Sequence, residues 1–341
     1  MNYTIKNTKD EKILSSENLN MYFNKNTGFT ITYGKTKDID PDYSPFGPFI
    51  ADIEITTSCS GSSGELCKFC YKSNNPNGKN MSFETFKTIF DKLPDTMTQI
   101  AFGADASCEA NPDIWKMMEY CRANNVVPNI TVADITEETA IKLAQLCGAV
   151  AVSHYQTDTC KRSIALLHKH GLKQINVHQM ISEETLDKAY DILDASKDIP
   201  GLNAIVMLSL KQKGRGRNFT PLSYHLFKDM IDYAMANKIP MGFDSCTAHK
   251  FLKYVNESDN EQIKKLAVFV EPCESMLFST YIDVDGMVFP CSFSPDTPGW
   301  GTGIDLVSAK DYMDDVWNSE RMVVWREGLI SNGRRCPLYN I

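Results

Sequence analysis

Three cysteines carry the first chemical signal: Cys59, Cys67 and Cys70 fall as C-x7-C-x2-C in a Ser/Gly-rich stretch directly after the apolar segment FIADIEIT. Thiolates are soft ligands suited to zinc or iron–sulfur clusters. A closed zinc site takes four ligands, yet the first histidine of the chain is His154. Three thiolates on a cluster of four irons leave one iron open for a substrate. A zinc knuckle completed by a distant residue, or free loop thiols, are the competing readings. The chain has eleven cysteines in all, an odd count that fits complete disulfide pairing badly.

A second set lies downstream. Cys273 and Cys291 bracket Asp285-Gly286 as C-x12-G-x4-C, and a hairpin there brings two distant thiolates together. Cys246, in FDSC, could complete a thiolate set with them, and Cys336, in RRCPLY, is the remaining thiol of this stretch. Asp244 precedes Cys246 and is the candidate catalytic proton acceptor. Cys108, Cys121, Cys147 and Cys160 read as small core hydrophobes. His154, Tyr155 and His178 fall at or near strand ends, within reach of a substrate or simply structural. The basic run KQKGRGR (211–217) reads as a solvated loop or as a binder of a carboxylate or acidic peptide.

The elements that must position these residues alternate. Apolar strand candidates lie at 49–55, 99–102, 126–132, 149–153, 174–180 and 204–210, with helical spacing between them. Phe86, Ile89, Phe90 and Leu93 make one such stripe; Ile114, Met117, Met118 and Cys121 make another; Leu186, Ala189, Tyr190 and Leu193 a third. Asn111-Pro112 and Thr220-Pro221 read as helix starts, Gly148 and Gly171 as helix ends. Six strands with intervening helices imply a parallel sheet, open or closed into a barrel. Residues 1–47 form an extension with a β-ribbon around Asn26-Thr27-Gly28. Residues 48–240 hold the βα run. Residues 241–341 read as a small second domain with the Asp285-Gly286 hairpin and an amphipathic helix near 309–330.

The balance of 43 acidic against 35 basic residues argues against a general nucleic-acid binder, which needs surplus Lys and Arg. No apolar run has the length of a membrane span, and MNYTIKNTKDEKILSSENLN lacks a signal-peptide core. A cytoplasmic protein, with no membrane partner, is expected.

CSGSSGELCKFCY resembles the signature loop of the radical S-adenosylmethionine (radical SAM) superfamily, commonly C-x3-C-x-aromatic-C after the first strand. Phe69 holds the aromatic position, while the first gap is seven residues instead of three. QIAFGADAS is similar to the superfamily's Gly-Gly-Glu strand-two motif, which would give Gly103 and Asp105 contacts to the SAM amino group. Ser153 and Gln179 occupy superfamily-like positions for ribose or carboxylate contacts. The Cys273–Cys291 spacing and the WNSERMVVWREGLI tail resemble SPASM and twitch extensions, which bind auxiliary clusters. The resemblance implies an α/β fold: a partial (β/α)6 TIM-type barrel followed by a small C-terminal twitch-like iron–sulfur domain. It implies a SAM-binding [4Fe–4S] cluster on Cys59, Cys67 and Cys70, and one auxiliary [4Fe–4S] cluster on Cys246, Cys273, Cys291 and Cys336. S-adenosyl-L-methionine would be cleaved to a 5′-deoxyadenosyl radical that takes a substrate hydrogen, with flavodoxin or ferredoxin as reductant. The substrate expected is a ribosomally made peptide that is crosslinked, epimerised or oxidised. The alternative is a small alcohol or amino sugar that is dehydrogenated; a noncatalytic zinc or redox scaffold is more remote.

Overall fold

The computed structural model describes residues 2–340. It begins with an antiparallel meander of four strands, β1 (Tyr3–Asn7), β2 (Glu11–Ser16), β3 (Asn20–Asn24) and β4 (Thr30–Tyr33). The Asn26-Thr27-Gly28 signal forms the last turn: Asn24 Oδ1 accepts from the amides of Asn26 and Thr27 at 3.0 Å each, and Gly28 takes φ +73°. The expected ribbon is thus only half of this sheet. Strand β1 escapes a pattern reading because it is exposed on nearly every residue. Leu14, Met21 and Phe23 share a small core with Phe46, Phe49 and Val127. On the same face as Leu14, the buried Lys12 donates to the carbonyls of Asp95 and Met97. These partners precede the parallel strands that follow, so the meander seats beneath their N-terminal ends.

The βα run follows as β5 (Ile50–Glu54), α1 (Phe83–Phe90), β6 (Gln99–Gly103), α2 (Ile114–Ala123), β7 (Val127–Val132), α3 (Glu137–Leu146), β8 (Val150–Ser153) and α4 (Thr157–Lys169). It continues with β9 (Ile175–Ile181), α5 (Leu186–Ala195), β10 (Ala204–Ser209), α6 (Tyr224–Ala236) and β11 (Met241–Phe243). Every consecutive pair from β5 to β11 is parallel. The strand order never reverses. With right-handed crossovers, steps that all go one way put the helices on one face and curl the sheet around the other. That winding belongs to a barrel, not to a doubly wound sheet. It does not close: β12 (Ser279–Ile282) adds in parallel beyond β5, and β13 (Met287–Phe289) and β14 (Ile304–Asp305) extend that edge antiparallel.

All four residues of the α2 stripe are buried, and Ser82 and Thr136 cap α1 and α3 through side-chain oxygens. Neither X-Pro pair starts a helix. Helix α2 begins at Ile114, because Asn111 is drawn inward to donate to the carbonyls of Ile55 at 2.7 Å and Met81 at 2.9 Å. Helix α6 begins at Tyr224, and Pro221 instead bridges to Ser182. Gly171 ends α4 with φ +90°, as expected. Gly148 follows α3 for another reason: a Cβ there would stand 2.4 Å from Val127 Cγ1.

The segment after 240 builds no sheet of its own. Strand β11 joins the β10 end of the barrel sheet and β12 the β5 end, and one continuous core runs from Ala51 to Met322. After α7 (Ala248–Glu257) and α8 (Glu261–Lys264), the helix expected near 309–330 breaks in two. A π-type turn at Met313–Trp317 precedes α9 (Glu320–Ser331), as the buried Trp317 donates to the Ser44 carbonyl at 3.0 Å. Cys108, Cys121, Cys147 and Cys160 are buried, as small hydrophobes should be.

Candidate active site and cysteine centres

The long loop after β5 carries Cys59, Cys67 and Cys70 over the C-terminal ends of the parallel strands. Its unusual first gap is folded out of the way. Ser62 and Glu65 exchange backbone hydrogen bonds at 3.0–3.1 Å, and Gly61 and Gly64 adopt φ +82° and +81°. A Cβ on Gly61 would stand 2.0 Å from the Glu65 carbonyl oxygen, so only glycine permits this turn. The extra residues form a side loop, and all three thiols line one cavity of about 550 Å³. That size is ordinary for a small-molecule site.

Each parallel strand from β5 to β10 contributes to the wall, through Asp52, Gly103, Thr131, Ser153, His178 and Leu208 among others. Phe69 lies in an aromatic group with Tyr155 and Phe219, ring centroids 5.8 Å away in both cases. Phe69, Gly103, Asp105, Ser153 and Asp244 all reach this cavity, as do the three cysteines.

Gln179 does not. Residues of β9 alternate between faces, with His178 and Met180 on the cavity side. Gln179 is buried behind the sheet, its Oε1 2.6 Å from His154 Nδ1 and its amide donating to the Met180 carbonyl at 2.7 Å. Its expected contact with SAM is withdrawn; it orients His154, whose pKa burial lowers.

Asp105 reaches the cavity but is also held within its own loop. Oδ1 accepts from the amides of Glu109 and Ala110 at 3.0 Å, and Oδ2 accepts from the Ser107 amide and hydroxyl. A carboxylate offers about four acceptor sites, and these four donors fill them. The residue folds loop 105–110 while still lining the cavity, so a contact with an ammonium group would compete with these loop donors.

The other carboxylates on the wall differ sharply. Glu54 Oε2 accepts from Lys72 at 3.2 Å and Tyr281 at 2.9 Å. Asp244 pairs with the buried Lys211 ammonium at 2.5 Å and accepts from the Thr247 amide at 3.0 Å. Burial alone would lower Lys211, but Asp244 and Cys246 outweigh it and hold its pKa up. Asp52 has no hydrogen-bond partner among the described residues. Asp52 is exposed on the cavity wall, yet the surrounding walls strip enough hydration to push its pKa up to about 6. Burial lowers His178 to about 4, leaving a neutral imidazole on the same wall.

Three of the four cations in the basic run 211–217 are engaged within the fold, Lys211 by Asp244 and the others by carbonyls. Lys213 donates to the carbonyls of Phe293 at 3.2 Å and Pro295 at 2.7 Å, while Arg215 donates to those of Cys67 at 2.8 Å and Asn74 at 3.0 Å. Gly214 packs so closely that a Cβ would meet the Tyr71 carbonyl oxygen at 2.4 Å. This loop braces the first cysteine loop against the segment that follows Cys291, where the tilted rings of Tyr71 and Phe293 also pack with centroids 4.3 Å apart.

Cys246, Cys273 and Cys336 line a second cavity of about 300 Å³ with His249, Arg334 and Tyr339. Cys291 is half-buried beside Cys273 and Cys336, close enough that their charges would repel. Arg334 donates to the carbonyls of Cys273 at 2.9 Å and Pro272 at 2.8 Å. Asp244 lines the first cavity and Cys246 the second, so residues 244–246 belong to the wall between them. Among the described residues no three His, Cys, Asp or Glu gather closely enough to hold a single metal ion. Both sets are all-thiol, the donor chemistry of an iron–sulfur cluster, whose separate irons each take their own ligand. The second set adds an orphaned buried nitrogen, His249 Nε2. These residues fit such groups.

Asp52, Lys72 and His249 escape a reading of the sequence. Asp52 and Glu54, acidic residues two apart in an apolar strand, are the one signal that would have marked the wall.

No helix among the described residues is long and apolar enough to cross a membrane. No protein-family model matches the chain, and the curated proteins return no match. Among solved structures, the chain is similar to the crystal structure of BtrN in complex with AdoMet and 2-DOIA. The two share 13% identity over 83% of this chain and 87% of that one, a loose likeness with a TM-score of 0.36.

Proposed function

We propose that this chain is a radical SAM enzyme that removes a hydrogen atom from a substrate held inside the partial barrel. The observation that carries the reading is the placement of Cys59, Cys67 and Cys70 on the wall of one cavity with Gly103 and Ser153. In it the three thiols hold a [4Fe–4S] cluster, and the Gly103 backbone and Ser153 hydroxyl meet SAM. Bound together with a reductant such as flavodoxin or ferredoxin, these groups supply hydrogen-atom abstraction by one-electron chemistry. Phe69 and its aromatic neighbours keep water from the thiol loop. Asp244, kept in place by Lys211, receives the proton that an oxidised substrate loses. Cys246, Cys273, Cys291 and Cys336 hold one auxiliary [4Fe–4S] cluster beyond the 244–246 wall.

The preferred substrate is a ribosomally made peptide, on the strength of the SPASM/twitch-like spacing. The unpartnered Asp52 carboxylate favours a second reading, a small alcohol or amino sugar, because it offers an acceptor to a hydroxyl or amine. The test is mass spectrometry of both substrate classes after anaerobic incubation with enzyme, SAM and reductant. Cys67→Ala should make no 5′-deoxyadenosine; normal production by that variant overturns the proposal. An as-isolated protein that carries zinc and resists iron loading would return the scaffold reading.

A further inference from the structure

Three buried side-chain atoms have no hydrogen-bond partner among the described residues: His249 Nε2, Thr280 Oγ1 and Tyr312 Oη. Thr280 and Tyr312 are neighbours in the core. Of the three residues, only His249 lines either of the two cavities described above, the one it shares with Cys246, Cys273 and Cys336. A buried polar atom left unpaired costs on the order of 1–3 kcal/mol, so a partner in that cavity is expected. His249 lies in the first turn of α7, whose N-terminal end follows Cys246 and favours negative charge nearby.

We infer that His249 is a positioning residue for the auxiliary site, donating its Nε2–H to a sulfur of the group that the four thiols hold. The inference rests on the two-cluster reading above. Four cysteines already supply four ligands, so the imidazole is a donor rather than a fifth ligand. Hydrogen bonds to cluster sulfurs raise the reduction potential, because they stabilise the form with one more electron and one more negative charge.

The experiment is a dithionite redox titration of the reconstituted holoprotein, followed by electron paramagnetic resonance, with iron counted per chain. His249→Leu removes the donor. His249→Gln keeps an N–H near the same position. The expected result is a lower auxiliary midpoint potential in His249→Leu, a near-native potential in His249→Gln, and full iron in both. An unchanged potential in His249→Leu, or equal shifts in both variants, overturns the inference. Iron loss confined to the auxiliary site in both variants would make His249 a ligand and overturns it as well. A wild-type protein holding only about four irons per chain instead overturns the two-cluster reading, which separates the two failures.

Discussion

Arg215 and Cys67 are joined on the wall of the first cavity. The guanidinium Nε donates to the Cys67 carbonyl at 2.8 Å, and the Arg215 amide donates to the Cys70 carbonyl at 3.0 Å. The loop after β10 thereby fixes the geometry of a loop that begins after β5.

Arg215→Met should therefore loosen the first cysteine loop while sparing the second. Each lost hydrogen bond from a charged donor is worth about 1.5–3 kcal/mol. A stability loss of that order is expected in chemical denaturation, with poorer iron retention on Cys59, Cys67 and Cys70 alone. Equal iron loss at both sites would contradict this.

Asp105→Asn replaces a four-fold acceptor by an amide whose NH2 group must face backbone donors. The expected loss of stability is on the order of 3 kcal/mol, as charge-assisted bonds disappear. Calorimetry of SAM binding should show only a secondary weakening. A variant that melts like wild type but loses SAM would return this carboxylate to the ligand.

Lys72→Met leaves Glu54 buried with Tyr281 as its only partner; the Lys72 and Glu54 side chains are 16% and 8% exposed. Removing one partner of a buried pair typically costs about 3–5 kcal/mol. The double variant with Glu54→Gln should recover much of the loss, as a denaturation cycle would reveal.

Asp52 sets a pH dependence. Its folded pKa, about 6, lies above the ordinary carboxylate value of about 3.9. The folded state then binds more protons than the unfolded state between these values, so stability falls as pH rises through that window. Asp52→Asn should be more stable than wild type above about pH 6, by roughly 1 kcal/mol once screening by cavity water is allowed for. The difference should vanish below about pH 4. Melting curves across this range check it, and a constant difference would mean the carboxylate is not desolvated.

Much of the barrel was legible because the strands are short apolar runs and the helices carry stripes. The candidate site was legible where residue type and spacing suffice, as for Cys59, Cys67 and Cys70. Parity was not. A parallel strand covered on both faces gives no hydrophobic alternation from which to read which residues face inward, and Gln179 was assigned to the wrong side of β9 for that reason. The run 211–217 reads either as a solvated loop or as a carboxylate binder because its partners, the Asp244 carboxylate for Lys211 and backbone carbonyls for Lys213 and Arg215, are far away in sequence. The π-type turn at Met313–Trp317 depends likewise on a remote carbonyl, that of Ser44.

The parallel pairing of β5 with β12 has a consequence for folding. Ile50 and Ser279 are register partners, yet nearly the whole barrel lies between them in sequence. During synthesis the outer edge of β5 waits, its amides and carbonyls unsatisfied, until β12 is made. Such an edge is a template for pairing with another chain, and contacts this distant in sequence form slowly. The nascent barrel is therefore most vulnerable to misassociation along the strand that leads into its first cysteine loop.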